Sequence, residues 1–281
     1  MNIPDTDAIV YPTYPPSIDW WITTQCNLNC GFCFGPSSNL FESNELRYSI
    51  AENICISESD YVTLCGGEPL LVPELLGILK LFSKQKNIIL NTNGELLSKS
   101  HYVYDYIHTI GISLDGYDSL TYRQMRGEIS SFENCKNEIE YAKHQDVKLK
   151  IGTVLTKINY TYIFDIANLV KEISPDVWRI YQFSPRGKAN ANAKKYNLPS
   201  QIFEEIVNCI LVEYPSINIS ASSEVGTEGC FIIDECGFYI KPQGNEYLRC
   251  VSCLTEKIDV IWKRERGLSS NVVKNKVWIG A

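Results

Sequence analysis

The sequence predicts an α/β protein in which a parallel sheet forms an open or partial (β/α)6 barrel. Short apolar segments typical of β-strands alternate six times with segments whose apolar residues recur at helical spacing. Such alternation favours parallel strands joined by right-handed helical crossovers. The chain has 281 residues and is 44% hydrophobic, and this length fits one large α/β domain as easily as two small ones.

The strands are predicted from short apolar or alternating runs, of which Trp20, Trp21 and Ile22 mark the first. The predicted strands cover residues 18–25, 61–65, 87–90, 109–114, 148–156 and 177–183, with a last candidate at 216–222.

The helices are predicted from apolar residues that fall on one face, such as Leu75, Leu79 and Phe82. Pro73 suits a first helical turn, and Ser131 suits an N-cap. The predicted helices cover residues 44–55, 71–85, 96–107, 131–145, 162–173 and 200–213.

Three regions follow from this pattern. Residues 1–17 are rich in proline and form an irregular lead-in, and residues 18–223 form the α/β core. Residues 224–281 are predicted to be a C-terminal extension that caps the barrel. It holds a hairpin at 231–240 with its turn at 234–237, followed by a tail that contains cysteines and a charged stretch.

Charge and composition limit the possible partners. The net charge of −7 gives no basic footprint for nucleic acid. The start of the chain lacks the pattern of a secretory signal, and no apolar stretch is long enough to cross a bilayer. We therefore expect a cytoplasmic protein with no nucleic-acid or membrane partner, in which the 11 cysteines serve metal binding rather than disulfides.

Three cysteines, Cys26, Cys30 and Cys33, follow the first strand with the spacing C-x3-C-x2-C. Structural zinc sites and iron–sulfur clusters normally use four protein ligands. Three thiolates on one loop therefore suggest a cluster with one iron left open to an exogenous ligand. A zinc site or a chance grouping is the alternative.

Three more polar motifs follow the next three strands: Gly66-Gly67-Glu68-Pro69, 91–94 and 113–116. In a parallel barrel the working residues collect at the carboxyl ends of the strands, so all four motifs should meet on one rim. The two glycines allow a close backbone approach to a ligand, and Glu68 offers a carboxylate acceptor for an ammonium group.

The three-cysteine spacing together with the Gly-Gly-Glu-Pro segment resembles the radical S-adenosylmethionine (SAM) superfamily. The resemblance implies a [4Fe-4S] cluster on the three cysteines and SAM on the open iron. It implies reductive cleavage of SAM to methionine and a 5′-deoxyadenosyl radical, which abstracts hydrogen from a substrate. It also implies reduced flavodoxin or ferredoxin as the electron donor.

The same resemblance implies SAM contacts at the ends of several strands. Ser113 and Arg126 would hold the ribose and the carboxylate, with an ordinary surface arginine as the alternative for Arg126. Asn93 would line the site, with a plain Asn-Gly turn as its alternative. The implied SAM contacts are Gly66, Gly67, Glu68, Asn93, Ser113, Asp115, Arg126 and Val154.

The substrate is left open between a small metabolite and a ribosomal peptide. Segments 30–34, 150–159 and 177–182 resemble viperin-like nucleotide dehydratases, which implies phosphate contacts at Lys150, Lys157 and Arg179. Two features depart from that family: residues 35–39 hold no basic side chain, and Gly152 stands where the family has asparagine. No general acid or base is assigned.

Cysteines near the C-terminus resemble the auxiliary-cluster ligands of peptide-modifying radical SAM enzymes. Lys241 and Pro242 stand where that group commonly has a cysteine, and free thiols are the alternative. A non-catalytic iron–sulfur or zinc binding protein is the rival from another class. The possible second metal site would use Cys230, Cys236, Cys250 and Cys253.

Overall fold

The computed structural model describes residues 13–35, 43–223 and 231–267, and Cys230 lies outside them. Within these ranges, the strands form one ten-stranded sheet. The strands are β1 (Ser17–Thr23), β2 (Tyr61–Gly66), β3 (Asn87–Thr92), β4 (Thr109–Ser113), β5 (Lys148–Leu155), β6 (Val177–Gln182), β7 (Ile219–Ser222), β8 (Phe231–Ile233), β9 (Phe238–Gln243) and β10 (Glu246–Ser252).

The helices join and cover these strands. They are α1 (Asn44–Ile56), α2 (Leu75–Phe82), α3 (Ser119–Arg126), α4 (Phe132–Lys143), α5 (Ile163–Ile173), α6 (Ala193–Tyr196), α7 (Ser200–Glu213) and α8 (Ile258–Gly267). None of the helices in the described part of the chain combines the length and apolarity needed to cross a lipid bilayer.

The sheet order is β10-β9-β8-β1-β2-β3-β4-β5-β6-β7. Strands β1 to β7 pair in parallel with their chain neighbours, which confirms the predicted α/β architecture. Strand β8 pairs in parallel with the free side of β1, and β9 and β10 continue antiparallel. The prediction that the C-terminal extension caps the barrel is therefore wrong, because its strands extend the sheet beyond the edge of β1 instead of covering the end of the barrel.

The two faces of the sheet differ in character. One face packs under the helices, where Trp20 of β1 meets Phe82 of α2 edge to face at 6.2 Å between ring centroids. The alternate residues point to the opposite, inner face, since successive side chains on a strand change sides. That inner face carries Asn91, Lys150 and Arg179, which makes it far more polar than the helix-covered core.

Several boundaries differ from the prediction. The predicted helix at 96–107 is instead two 3₁₀ helices, Leu97–Lys99 and His101–Asp105. The aromatic and β-branched residues of the second segment have low helix propensity, and Ser100 N bonds to Leu97 O, which ends the first segment. Helix α2 also begins later than predicted, after a short 3₁₀ helix at Pro69–Leu71.

Four of the helices and strands were not predicted: α3, α6, β10 and α8. Helix α3 begins at an Asp118–Thr121 capping box and ends at Gly127, whose φ is +99°. Asp-x-x-Thr is a less familiar form of the start signal than Ser or Thr followed by Glu. The sequence showed α8 only as a charged stretch.

Candidate functional site

The three cysteines of the loop lie among backbone donors. Leu28 N donates to Cys26 Sγ at 3.4 Å, and Gly35 N donates to Cys33 Sγ at 3.3 Å. Burial raises the pKa of Cys30 to about 12, against the lowering effect of Arg126. The protein alone therefore keeps this thiol protonated, and a bound metal would have to supply the free energy that forms the thiolate.

Backbone N–H donors to two of the three thiols suit an iron–sulfur cluster. Over the residues that the structure describes, no group of three His, Cys, Asp or Glu side chains is placed to hold a metal ion. A cubane cluster spreads its thiolates over separate irons, and N–H donors to the sulfurs help to set its potential.

The glycines of the Gly-Gly-Glu-Pro loop bring its backbone against the cysteine loop. Gly67 N donates to Thr23 O and Glu68 N donates to Gln25 O, both at 2.7 Å. A Cβ on Gly67 would lie 2.0 Å from Gln25 O, and Gly66 has a φ of +117°. The sequence predicted that these glycines allow the backbone to approach a ligand closely. In the described residues, the close approach of Gly66 and Gly67 is to the backbone of residues 23–25.

Replacing Gly67 with alanine is expected to lower the free energy of unfolding by about 1–3 kcal/mol, because overpacked backbone must shift. Urea unfolding monitored by circular dichroism measures this. Gly152→Ala is the matched control, since a Cβ there meets its nearest atom at 3.7 Å. Equal effects of the two substitutions would contradict the packing argument.

Glu68 is almost completely buried and is held by three donors. Its Oε1 accepts from Leu70 N at 3.1 Å and from Thr92 Oγ1 at 2.7 Å, while Oε2 accepts from Asn93 N at 2.9 Å. A carboxylate offers about four acceptor positions, so one remains for an external ammonium. Burial raises the pKa of Glu68, and these hydrogen bonds oppose that rise.

Asn93 links this carboxylate to the cysteine loop. Its side-chain Nδ2 donates to Asn27 Oδ1 at 2.9 Å and lies 3.8 Å from Cys26 Sγ, within reach of a hydrogen bond to sulfur. Its Oδ1 accepts from Glu95 N at 2.9 Å. The residue is therefore a structured bridge as well as part of an Asn-Gly turn.

Arg126 is not the surface arginine that the sequence left as an alternative. It is 6% exposed, and its Nε donates to Asp115 Oδ2 at 2.8 Å. Burial lowers its pKa, but Asp115 and neighbouring groups outweigh that effect and raise the pKa, which keeps the guanidinium charged. Its two terminal amino groups have no hydrogen-bond partner within the described ranges, so they suit a carboxylate ligand.

The remaining predicted contacts lie beside these groups. Ser113 Oγ donates to Thr92 O at 3.4 Å, at the end of β4. Val154 N donates to Asp115 Oδ1 at 2.7 Å, which ties β5 to the loop after β4. The structure thus brings together the ends of β1 to β5, as the barrel argument predicted.

Two further buried residues support the site. Thr92, part of the 91–94 motif that the sequence placed on the rim, donates to Glu68. Sequence reasoning missed Asn159, which donates from Nδ2 to Val154 O at 2.9 Å and to Asp115 O at 3.3 Å. No signal marked Asn159, since an asparagine three residues after a threonine is an ordinary turn pattern.

The inner face of the sheet holds a buried lysine. Lys150 is 8% exposed and, among the described residues, makes no hydrogen bond or ion pair. Burial lowers its pKa to about 8, and Asp19 and Arg179 act on it with opposite signs. A buried ammonium without a direct partner is costly, which indicates a role beyond stability.

Lys150→Met is expected to raise the free energy of unfolding at pH 7 by on the order of 3 kcal/mol, since one pKa unit is worth about 1.4 kcal/mol. The folded-state pKa of about 8 lies below the usual 10.5, so the unfolded chain binds more protons between these values. Stability of the parent should therefore rise with pH across that window, and the gain from the substitution should shrink. Urea unfolding at pH 7 and pH 10 measures both, and an equal gain in Lys148→Met, on the same strand, would contradict the argument.

The C-terminal strands also contribute to this inner face. Tyr247 of β10 packs edge to face on Trp21 at 4.9 Å between ring centroids. Burial raises the pKa of Tyr247 to about 12. The charge of Arg186 lowers this pKa, and the charges of Cys33 and Cys65 raise it. Sequence reasoning missed this tyrosine because its position depends on the sideways extension of the sheet.

A bridge closes the space above this face. The segment after β6 contacts the cysteine loop, where Lys188 N donates to Gly35 O at 3.4 Å and Asn192 Nδ2 donates to Gly31 O at 3.1 Å. It also contacts the β9–β10 turn, since Gly187 N donates to Asn245 O at 3.3 Å. The segment after β6 is thereby joined at the rim to the loop after β1 and to the β9–β10 turn.

Two of the C-terminal cysteines, Cys236 and Cys253, lie at the β8–β9 turn. Cys253 is buried, and its N donates to Gly237 O at 2.8 Å. Arg249 pairs with Asp234 and, at 2.8 Å, with Glu235 beside Cys236. Cys230 lies outside the described residues, so a second metal site with Cys236, Cys250 and Cys253 stays a prediction.

Comparison with known proteins gives consistent results. The model of the family described as "Radical SAM superfamily" matches residues 21–170. An AdoMet-dependent heme synthase of Methanosarcina barkeri is 27% identical over 186 residues, 63% of this chain, which spans about half (53%) of that relative. An S-adenosylmethionine-dependent nucleotide dehydratase of Flammeovirga pacifica is 26% identical over 251 residues, 83% of this chain and 84% of that protein.

Solved structures agree on the fold. SuiB of Streptococcus suis, bound to its precursor peptide SuiA, superposes with a TM-score of 0.72 at 17% identity, covering 94% of this chain and 69% of that chain. The family match covers more than half of the sequence and includes the three cysteines, the Gly-Gly-Glu-Pro loop and Arg126. The chain is therefore an enzyme that belongs to the radical SAM superfamily.

Proposed function

We propose that this enzyme holds a [4Fe-4S] cluster on Cys26, Cys30 and Cys33 and binds SAM beside it. When bound, the cluster and SAM supply a one-electron cleavage that yields methionine and a 5′-deoxyadenosyl radical, which takes a hydrogen atom from the substrate. The substrate is a small metabolite or a ribosomal peptide, and reduced flavodoxin or ferredoxin supplies the electron.

The chain's own residues have separate tasks in this reaction. Glu68 accepts a hydrogen bond from the ammonium of SAM, and the free amino groups of Arg126 bind its carboxylate. Gly66, Gly67 and Asn93 hold the loops around these groups, while Ser113 and Val154 line the side of the ribose and adenine. The sheet and the bridge after β6 exclude water from the reacting atoms.

One observation carries the proposal: Asn93 contacts both the cysteine loop and Glu68. Its backbone N donates to Glu68 at 2.9 Å, and its amide lies 3.8 Å from Cys26 Sγ. Asn93 therefore links Glu68, an acceptor for an ammonium group, directly to the Cys26 thiol of the three-cysteine loop. A metal-binding module without a ligand for its open iron has no use for this arrangement.

The test is anaerobic reconstitution with iron and sulfide, followed by dithionite and SAM. We expect 5′-deoxyadenosine and methionine in equal amounts, measured by liquid chromatography. Cys209→Ala, which removes an exposed thiol on α7, is the matched control and should behave as the parent. A reconstituted parent that holds iron yet forms no 5′-deoxyadenosine would refute the proposal.

A second candidate is a viperin-like nucleoside triphosphate dehydratase. Two observations favour it: the relative from Flammeovirga pacifica matches most of both chains, and Lys150 and Arg179 share the inner face. Arg179 is held there by Ser220 and Ser222, and Lys157 is exposed at the rim. Basic side chains on this inner face and at its rim are suited to binding phosphate oxygens.

Incubating the reduced enzyme with SAM and each nucleoside triphosphate in turn separates the candidates. A dehydrated nucleotide, lost in Lys150→Met but retained in Lys148→Met, would support the dehydratase. Formation of 5′-deoxyadenosine with no nucleotide product in any incubation would favour a different small metabolite or a peptide.

A further inference from the structure

Asp115 stands among the SAM contacts that the sequence implies, yet its side chain is enclosed by protein. It is 0% exposed. Its Oδ2 accepts from Arg126 Nε at 2.8 Å and its Oδ1 accepts from Val154 N at 2.7 Å. Both oxygens of Asp115 are thus bonded to protein groups, one of them to the arginine that we propose as the holder of the SAM carboxylate.

We infer that Asp115 is a positioning residue that acts on SAM through Arg126, and does not bind SAM itself. The inference rests on the proposed function, because it concerns the same SAM site.

Arg126 needs such a partner for two reasons. Its side chain is long and flexible. Holding it in one conformation costs side-chain entropy, which a hydrogen bond to a fixed partner offsets. It is also buried, so its charge would be strongly destabilising without a neighbouring carboxylate. Asp115 takes only Nε and leaves the two terminal amino groups open, and the Tyr122 ring lies below the guanidinium with its centroid 5.6 Å from Cζ.

Asp115 also fixes the elements around Arg126. Through Val154 N it holds β5, and its own backbone O accepts from Asn159 Nδ2 at 3.3 Å. The backbone of Arg126 also lies beside the cysteine loop, since its O is 3.6 Å from Cys30 Sγ. One buried carboxylate thus sets the arginine between β4, β5 and the cysteine loop.

A double-mutant cycle on the affinity for SAM tests this. The reconstituted parent, Asp115→Asn, Arg126→Ala and the double variant are compared by equilibrium dialysis under anaerobic conditions, with iron content and thermal unfolding as checks of the folded state. We expect Asp115→Asn to raise the Kd for SAM roughly 10- to 100-fold in the parent, the size of effect that loss of a hydrogen bond to a charged group gives. In the Arg126→Ala background it should change the Kd less than about twofold, because residues that act as a unit are not additive.

A matched control uses another buried ion pair. Arg47 Nη1 and Glu74 Oε2 are 2.9 Å apart and largely buried between α1 and α2. Glu74→Gln should lower the unfolding temperature yet leave the Kd for SAM unchanged. If Asp115→Asn does not fold, Asp115→Glu, which keeps the charge and moves it by one methylene, enters the same cycle.

The possible outcomes separate this inference from the proposed function. Equal increases of the Kd in both backgrounds, or no increase in either, would overturn the positioning role while leaving SAM binding intact. A parent that retains iron but does not bind SAM would overturn both. A loss of affinity confined to the background that contains Arg126 would support the inference.

Discussion

Replacing Cys26, Cys30 and Cys33 together with alanine is expected to remove nearly all iron from the reconstituted enzyme and to abolish formation of 5′-deoxyadenosine. The parent should hold about four irons per chain, as expected for a [4Fe-4S] cluster. The loss should be nearly complete because the three thiols that we propose as the ligands of the cluster all lie on one loop. Iron and sulfide assays together with electron paramagnetic resonance of the reduced protein measure it.

The control for this experiment removes cysteines elsewhere in the chain. Cys55 on α1 is half-buried and Cys209 on α7 is exposed, and neither is near the rim. A Cys55→Ala, Cys209→Ala variant should keep the iron and the activity of the parent. A triple variant of the loop that still bound as much iron as the parent would show that the cluster lies elsewhere.

Glu68→Gln is expected to weaken SAM binding by about 10- to 100-fold, which corresponds to the 1.5–3 kcal/mol of a hydrogen bond to a charged group. The substitution keeps the shape of the side chain but removes its negative charge. It also turns an amide NH₂ toward at least one of the groups that now donate to Glu68, so that two donors face each other. These groups are Leu70 N, Thr92 Oγ1 and Asn93 N. The Kd for SAM, measured by anaerobic equilibrium dialysis on protein of matched iron content, gives the result.

Glu138→Gln controls for loss of a buried carboxylate at a distance from the rim. Glu138 lies on α4 and pairs with His101 Nε2 at 3.0 Å. That substitution should affect thermal stability and leave SAM binding unchanged. Similar losses of SAM affinity in both variants would show that Glu68 acts through general stability.

The sequence was informative wherever local chemistry determines structure. The parallel strands β1 to β6 follow from apolar runs, and the placement of Cys26, Glu68 and Arg126 near one rim follows from the rule for parallel sheets. These predictions needed no knowledge of long-range contacts. For the same reason, Asp115 could be placed at the site from the sequence, although the partners of its two oxygens could not be.

The features that the sequence missed depend on contacts between distant segments. The inner position of Tyr247 requires β8 to pair with β1, and nothing in the local pattern of either strand specifies that partner. The unpartnered state of Lys150 within the described residues is a property of the surrounding strands, so the alternating pattern showed only that it lies on the polar side of its strand. The short 3₁₀ segments at 97–105 reflect a balance of weak local propensities that the periodicity of apolar residues does not resolve.

The pairing of β8 with β1 has a consequence for how the protein is made. Ile18 and Phe231 are register partners although more than two hundred residues separate them along the chain. During synthesis, β1 therefore presents an open hydrogen-bonding edge until almost the whole chain has left the ribosome. An exposed strand edge is a template for misassembly, and contacts of such long range form slowly. Because the cysteine loop leaves β1 directly, we expect the loop that we propose as the cluster site to reach its final surroundings only after this late pairing.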